Sequence, residues 1–454
     1  MNLSGKRVLV LGLGITGISI VKTLDELGAK VVVSDNKTRE QLENILKEIG
    51  HIPIEPYFNG EDFSYSNIDL IVKSPGISPT SYYVEKGVRK NIEIITDLEL
   101  AYRYFNRKNL IAITGSNGKT TSTVLVGEIF KNAAYNTHVV GNIGTAILDK
   151  ICESDMDDIF IIESSSFQLE HTENFRPKVS LITNISEDHI DWHGSYENYI
   201  KSKFKVFANQ KQEDYLILNY DDEILRQLEG EIVPKIIWFS TKEELNEGIY
   251  VNSGEIVVKC NGFENFTMSI ENIKIKGKHN LENILGSIAI ALTYNIASKI
   301  IIKSIENYNG LEHRLEFVRK IKDVSFFNDS KATNVLSSIK AIEAIDPPIV
   351  LIAGGYNKNS NYKEYVKSFK SKVNKLILIG ETKEAIESEA IKIGFPHDSI
   401  YLVNTMEEAI KLAYEKAQPG DNVLLSPASA SWDQYKNFEE RGNDFKNMVF
   451  SLME

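Results

Sequence analysis

The stretch Thr114-Gly115-Ser116-Asn117-Gly118-Lys119-Thr120-Thr121 follows a short apolar run, Leu110 to Ile113, and opens a helical pattern that continues through Phe130. Strand, glycine turn and helix in that order belong to an open α/β sheet, which places ligands at the carboxyl ends of its strands. Backbone N–H groups in such a turn can form an anion nest. The Lys119 ammonium can neutralise β and γ phosphates, and the Thr120 hydroxyl can bind magnesium. Ile113 stands where the commoner phosphate loop has a further glycine, so this is the shorter Thr-Gly-x-x-Gly-Lys-Thr form. Gly115, Ser116, Asn117, Gly118, Lys119, Thr120 and Thr121 are therefore expected to hold the phosphates of a nucleoside triphosphate, which the loop alone leaves as ATP or GTP.

A second glycine loop lies near the N-terminus. Gly12-Leu13-Gly14-Ile15-Thr16-Gly17 follows the strand pattern Arg7 to Leu11 and opens a helix, and Asp35 ends the next strand. That layout suits a dinucleotide or another nucleotide, with the Asp35 carboxylate on a sugar or base edge. It is also the layout of a tight strand-to-helix turn with no ligand. Standing alone, the loop would suggest an NAD(P)-dependent nucleotide-sugar dehydrogenase, a reading that leaves the Thr114 loop without work. A non-catalytic nucleotide-binding module is the third possibility.

The 454 residues are too many for one core. Short apolar runs alternate with helical stretches over residues 1–97, and a second α/β segment spans 98–309. The latter includes a β-rich excursion between about Tyr215 and Lys278 and a closing helix from Asn280 to about Ser298. A third segment, 310–454, carries strand patterns at Ile349 to Ala353, Lys375 to Ile379, Tyr401 to Val403 and Asn422 to Ser426. The expected fold is α/β in three domains: a Rossmann-like N-terminal domain, a central P-loop ATPase domain and a C-terminal Rossmann-like domain.

Net charge is −12, which argues against a general nucleic-acid binder. Cys152 and Cys260 are the only cysteines, as expected in a reducing compartment. The first residues lack the pattern of a signal peptide. The most apolar long stretch, Ile284 to Ile302, is interrupted by Ser287, Asn295, Ser298 and Lys299, short of the roughly 20 apolar residues a membrane span needs. A cytoplasmic protein without a membrane span is expected.

Three further positions carry chemistry. Glu163 ends the apolar strand Ile159 to Ile162, where an acid beside a phosphate loop can hold magnesium. Asp188-His189 follows the strand Val179 to Thr183. Lys203 falls in the middle of the stripe Tyr196, Tyr199, Ile200, Phe204 and Phe207, while Lys201 and Lys205 face away. Such a lysine is costly to bury unless it is paired or modified, though it could instead snorkel to water.

Several ordered motifs now point one way. They are Gly12 to Gly17, Ser74-Pro75-Gly76-Ile77, the Thr114 loop, Gly141-Asn142-Ile143-Gly144, Glu163-Ser164-Ser165-Ser166-Phe167-Gln168-Leu169-Glu170 and Asn184-Ile185-Ser186-Glu187-Asp188-His189. Beyond these come His279-Asn280-x-x-Asn283, Gly310-Leu311-Glu312-His313-Arg314, Asn328-Asp329-Ser330-Lys331-Ala332-Thr333-Asn334, Ser426 to Ser431, and Asp433 to Gly442. Over nearly its whole length the sequence resembles the Mur ligases, and most closely those that add D-glutamate. The other candidates within that class are a Mur-type ligase adding lysine or diaminopimelate, and folylpolyglutamate synthase.

The resemblance implies amide formation in peptidoglycan precursor synthesis. ATP would phosphorylate the alanyl carboxylate of UDP-N-acetylmuramoyl-L-alanine, and D-glutamate would displace the phosphate. It implies that Gly14, Ile15, Thr16, Asp35, Ser74, Pro75, Gly76 and Asn142 take the UDP substrate, so that the N-terminal loop serves UDP and not NAD. Lys119, Asn142, His189 and Lys203 would be catalytic. Thr120, Glu163, His189 and a carbamoylated Lys203 would serve two magnesium ions. Asn283, Arg314 and Asp329 would hold the adenosine part, and Lys331, Thr333, Lys358, Ser431 and the backbone of Phe438 the D-glutamate. Lys37 stands where arginine is frequent in the family, and Trp192 where a basic residue occurs. A monomer is expected.

Overall fold

The computed structural model describes residues 3–143, 145–228, 232–275, 277–357, 360–369 and 372–453. The chain divides into two compact units, Met1–Ile273 with Lys278–Asn307, and Lys274–Gly277 with Tyr308–Glu454.

The first unit holds two sheets. One is built from β1 (Arg7–Leu11), β2 (Lys30–Asp35), β3 (Ile54–Phe58), β4 (Leu70–Lys73) and β5 (Ile94–Ile95), in the order β3-β2-β1-β4-β5. All its pairings are parallel. Strand order reverses at β1, which pairs with β2 on one side and β4 on the other; the loops after β1 and β4 therefore flank a crevice of the kind that takes ligands. The sequence pattern hid two strands of this sheet, β5, which has only two residues, and β3. The latter contains Pro56, which lacks a backbone donor and is tolerated because β3 is an edge strand.

The other sheet has β6 (Leu110–Thr114), β7 (Thr137–Gly141), β8 (Ile159–Glu163), β9 (Val179–Ile182), β10 (Tyr215–Asn219), β11 (Lys235–Ser240), β12 (Gly248–Asn252), β13 (Glu255–Lys259) and β14 (Phe266–Ser269). Their order is β14-β13-β12-β11-β10-β9-β6-β8-β7. Pairing is parallel from β7 to β12 and antiparallel in β12-β13-β14, the expected β-rich excursion. β6 and β8 are buried at every position, as a sheet covered on both faces requires. One apolar core, running from Val8 and Ile20 through Leu98 and Leu110 to Phe160 and Leu218, serves both sheets.

The closing helix is two helices, not one. Lys278–Thr293 ends before Asn295, whose φ of 53° is left-handed, and Ser298–Asn307 starts anew. An α-helix cannot continue through that conformation, and asparagine tolerates it better than most residues.

In the second unit β15 (Glu316–Ile321), β16 (Val324–Asn328), β17 (Ile349–Ala353), β18 (Val373–Leu378), β19 (Ile400–Leu402) and β20 (Asn422–Leu425) form one sheet, β15-β16-β20-β17-β18-β19. Only the β15-β16 pairing is antiparallel. Among the described residues no helix is long and apolar enough to cross a membrane.

Candidate active site

The Thr114 loop leaves the carboxyl end of β6, an interior strand flanked by β9 and β8, and enters the helix Lys119–Asn132. Two glycines are needed for backbone shape. Gly115 has φ 140° and Gly118 φ 84°, and a Cβ at these positions would overlap Thr183 Oγ1 and Asn283 Oδ1 respectively. Asn283, on the first of the two helices just described, thus lies against the loop.

The loop is braced from the exit of β9. Ser116 N–H donates to the Asn184 carbonyl at 2.8 Å, and Asn117 N–H to Asn184 Oδ1 at 3.0 Å. Thr183 Oγ1 donates to the Asn117 carbonyl at 2.5 Å. Ser116 Oγ lies 2.7 Å from the Tyr199 hydroxyl and 2.9 Å from the Ser186 carbonyl. Sequence reading assigned no site role to Asn184 or Tyr199; Asn184 sits inside a quoted motif, but its partner Asn117 is 67 residues away.

Lys119 folds back over the loop, Nζ donating to the carbonyls of Gly115 and Ser116, each at 2.9 Å. Lys203, on the helix Tyr196–Phe204, donates to the same Gly115 carbonyl at 2.7 Å and lies 4.6 Å from the Tyr199 ring centroid. Its side chain is buried and does not snorkel. Burial first, and the Lys119 charge second, hold its ammonium well below the ordinary lysine range, against a smaller upward pull from Asp188. Lys201 is exposed, as its place on the helix predicted.

Glu163 is buried at the end of β8, next to β6. Oε1 accepts from Asn142 Nδ2 at 3.0 Å, and the Asn142 N–H donates to the Glu163 carbonyl at 2.9 Å, so these two predicted residues meet. Glu163 Oε2 is buried with no partner, and so are Thr114 Oγ1 and Ser164 Oγ nearby in sequence to the two strand ends. A buried carboxylate oxygen left open costs free energy, and a divalent cation would satisfy it. Among the described residues no three His, Cys, Asp or Glu side chains cluster to hold a metal ion, so a cation here would need donors of other kinds beside Glu163. His189 has φ 51° and a half-exposed ring 4.7 Å from that of Phe167, with Nε2 at 3.4 Å from Asp188 Oδ2.

At the N-terminal crevice Ser74 Oγ donates to the Gly12 carbonyl at 2.9 Å. Gly17 lets the helix approach that carbonyl, which a Cβ would overlap. Asp35 braces the loop: Oδ2 accepts from Leu13 N–H at 2.7 Å and Oδ1 from Lys37 N–H at 2.8 Å. Gly14 and Ile15 are exposed at its mouth and Thr16 is half-buried.

In the second unit Asp329 is buried, Oδ2 accepting from Ser426 Oγ at 2.8 Å and Oδ1 from Leu315 N–H at 3.2 Å. Burial raises its carboxyl to about 7, against those hydrogen bonds. Arg314 and Lys331 are exposed, the latter with Nζ 5.8 Å from the Phe438 ring centroid. Thr333 is half-buried, Ser431 is buried, and the Phe438 carbonyl accepts from Ser330 Oγ at 2.8 Å. Lys358 lies outside the described residues.

The residue that ties these segments together is Arg441, which sequence reading quoted only as part of a motif. Its buried guanidinium donates to Ser330 Oγ and carbonyl at 3.0 and 2.9 Å, to the Ser429 carbonyl through two nitrogens at 3.1 Å each, and to the Ala430 carbonyl at 3.2 Å. The signal available in sequence was an arginine on the apolar face of the helix Phe438–Ser451, one turn before Phe445.

Three family models match the chain: Mur ligase MurD-like, N-terminal domain, over residues 6–96; Mur ligase middle domain, over 113–291; and Mur ligase, glutamate ligase domain, over 313–429. A protein of Thermoanaerobacter sp. (strain X514) named UDP-N-acetylmuramoylalanine--D-glutamate ligase is 46% identical over 453 residues, covering 100% of each chain. Its namesake from Clostridioides difficile (strain 630) is 45% identical over 455 residues, again covering 100% of each. Among solved structures, UDP-N-acetylmuramate-alanine ligase MurC from Thermotoga maritima is similar with a TM-score of 0.58 at 18% identity, covering 98% of this chain and 99% of that one. MurF from Acinetobacter baumannii has a TM-score of 0.58 at 16% identity, covering 77% and 79%. At those identities the likeness is one of fold.

Proposed function

The chain belongs to the Mur ligase family, and from that premise we propose that it is the ATP-dependent ligase that joins D-glutamate to UDP-N-acetylmuramoyl-L-alanine in peptidoglycan precursor synthesis. The observation that carries the substrate assignment is identity along the whole chain to ligases bearing that name.

A carboxylate is a poor electrophile toward an amine. Attack of the alanyl carboxylate oxygen on the γ-phosphorus of ATP breaks the bond to ADP and leaves an acyl phosphate. The D-glutamate amine then attacks the acyl carbon, loses a proton and expels inorganic phosphate through a tetrahedral intermediate. Lys119, already curled over the phosphate loop, offsets charge on the transferring phosphoryl group. Holding the reactants together can remove roughly 7–11 kcal/mol of barrier at best.

Magnesium, held by Thr120, Glu163, His189 and a modified Lys203, would neutralise phosphoryl oxygens; the open Glu163 oxygen supports that set. For Lys203 the modification is a carbamate: the uncharged amine attacks carbon dioxide and releases a proton. Burial and Lys119 favour that uncharged amine, and the anion formed would turn repulsion from Lys119 into attraction. Asn142 and His189 orient the substrate. The crevice after β1 and β4, with Gly14, Ile15, Thr16, Asp35, Ser74, Pro75 and Gly76, takes UDP. Gly115 to Thr121 with Asn283, Arg314 and Asp329 takes ATP, and Lys331, Thr333, Lys358, Ser431 and Phe438 take D-glutamate. Domain boundaries at 97/98 and 309/310, two magnesium ions, a cytoplasmic location and a monomeric state complete the reading.

Phosphate release measured against a panel of amino acids tests it. D-Glutamate should support turnover with ATP and the UDP substrate. Turnover with L-lysine or diaminopimelate and none with D-glutamate would overturn the substrate assignment.

A further inference from the structure

Lys73 ends β4 and its side chain is fully buried. Among the described residues no carboxylate pairs with it. Its Nζ donates to the Ile77 carbonyl at 2.9 Å, closing the turn Ser74–Ile77, and lies 5.1 Å from the ring centroid of Trp192. The charges around it come from several elements: Asp97 and Glu170 raise its affinity for a proton, while His171 and His193 both feel its positive field. Burial is the larger effect and lowers it to about 8.

An apolar side chain would fill this volume without the cost of burying an ammonium. What a cation adds is a link. On one side Ser74 Oγ holds the Gly12 carbonyl in the N-terminal glycine loop. On the other, Trp192 packs on Phe167 with centroids 4.5 Å apart, and Phe167 on His189 at 4.7 Å. The Trp192 ring also leaves its Nε1 buried without a partner, so no hydrogen bond anchors the indole. Its ring meets the Lys73 ammonium and the edge-packed His193 ring, 4.5 Å away.

We propose that Lys73 is a positioning residue: through Trp192 it locks the turn Ser74–Ile77 to the segment carrying His189, and so sets the reacting end of the UDP-linked substrate relative to its UDP end. This rests on the reaction proposed above.

The test is steady-state kinetics of Lys73→Met, Lys73→Arg and Trp192→Leu, with KM determined separately for the UDP substrate, ATP and D-glutamate. Lys73→Met should raise KM for the UDP substrate about tenfold, the effect of losing a desolvated cation–π contact, lower kcat, and leave KM for ATP unchanged. Lys73→Arg should restore most of the loss, and the Lys73→Met/Trp192→Leu double variant should be no worse than the poorer single one. Unchanged KM values, equal shifts in all three, or additive effects would overturn the proposal. A readout without turnover comes from the Trp238→Phe/Trp432→Phe protein, which keeps Trp192 as its only tryptophan. Its emission should titrate near pH 8 and lose that transition in Lys73→Met. A flat titration overturns the contact. A single-tryptophan protein that titrates, beside a wild type without D-glutamate-dependent phosphate release, overturns the reaction, and with it the catalytic part of this proposal.

Discussion

Lys119 and Lys203 share one acceptor: each donates to the Gly115 carbonyl oxygen, at 2.9 and 2.7 Å. Two ammonium groups on one oxygen repel, and the deeper one gives up its proton more readily. A carbamate on Lys203 removes the conflict. Lys203→Ala should therefore lose at least about 100-fold in phosphate release, as when a preorganised charged group is removed. Added formate or acetate should restore part of it by supplying the missing carboxylate. Labelled bicarbonate should give a carbamate carbon resonance in the wild type and none in the variant. Full activity of unrescued Lys203→Ala would refute the role.

Gly118 and Asn283 form a packed pair, since a Cβ on Gly118 would overlap Asn283 Oδ1 and its φ is 84°. Gly118→Ala should cost about 1–2 kcal/mol from the left-handed backbone alone, more from the overlap, and weaken ATP binding. Gly118→Ala/Asn283→Ala should recover the overlap part in a denaturant titration and leave the backbone part. Equal stability of single and double variants would show that the overlap is not the cause.

Asp329 makes stability depend on pH. Its folded value of about 7 stands above the 3.8 of an unperturbed aspartate, so between those limits the folded chain holds a proton that the unfolded chain has lost. This contribution is present in full below about 4 and falls away as pH rises through 7. Asp97, raised to about 6 by burial, acts in the same direction. Asp329→Asn should melt higher relative to wild type at pH 8 than at pH 5, by a few degrees. A difference independent of pH would mean that Asp329 stays ionised throughout.

Arg441 should be structural and kinetic at once. Arg441→Met leaves the carbonyls of Ser330 and Ser429 without their donor, at about 1–3 kcal/mol for each group that water cannot reach, while the Ala430 carbonyl keeps the Tyr356 N–H. Unfolding midpoints should fall, and KM for D-glutamate should rise more than KM for the UDP substrate. An unchanged D-glutamate KM in a folded variant would separate the clamp from that substrate.

Chemistry of the central sheet was legible because it is local. The loop from Thr114 to Thr121, its strand and its helix are consecutive, and Glu163 announces itself as an acid after four apolar residues. Lys203 was legible through helical periodicity, and its burial followed. Less legible were β3, masked by Pro56, and β15, where charged and apolar residues come in pairs instead of alternating and the pairing with β16 is irregular, as an edge strand tolerates. The break at Asn295 was hidden because apolar residues continue on both sides of it.

By itself the sequence determined that this chain binds nucleotide phosphate in a three-domain α/β ligase, since those properties reside in short motifs whose backbone needs are set by glycine, lysine and strand-end acids. Tertiary structure alone decided how the phosphate loop is held. Asn184 and Tyr199 brace it from another strand exit and another helix, and Lys203 reaches Gly115 across 88 positions of sequence. It also decided the partners of Lys73 and Arg441, buried cations that meet carbonyls and rings rather than acids. No charge pattern along the chain marks such partners, because every residue carries a carbonyl and only the fold determines which of them a buried cation meets.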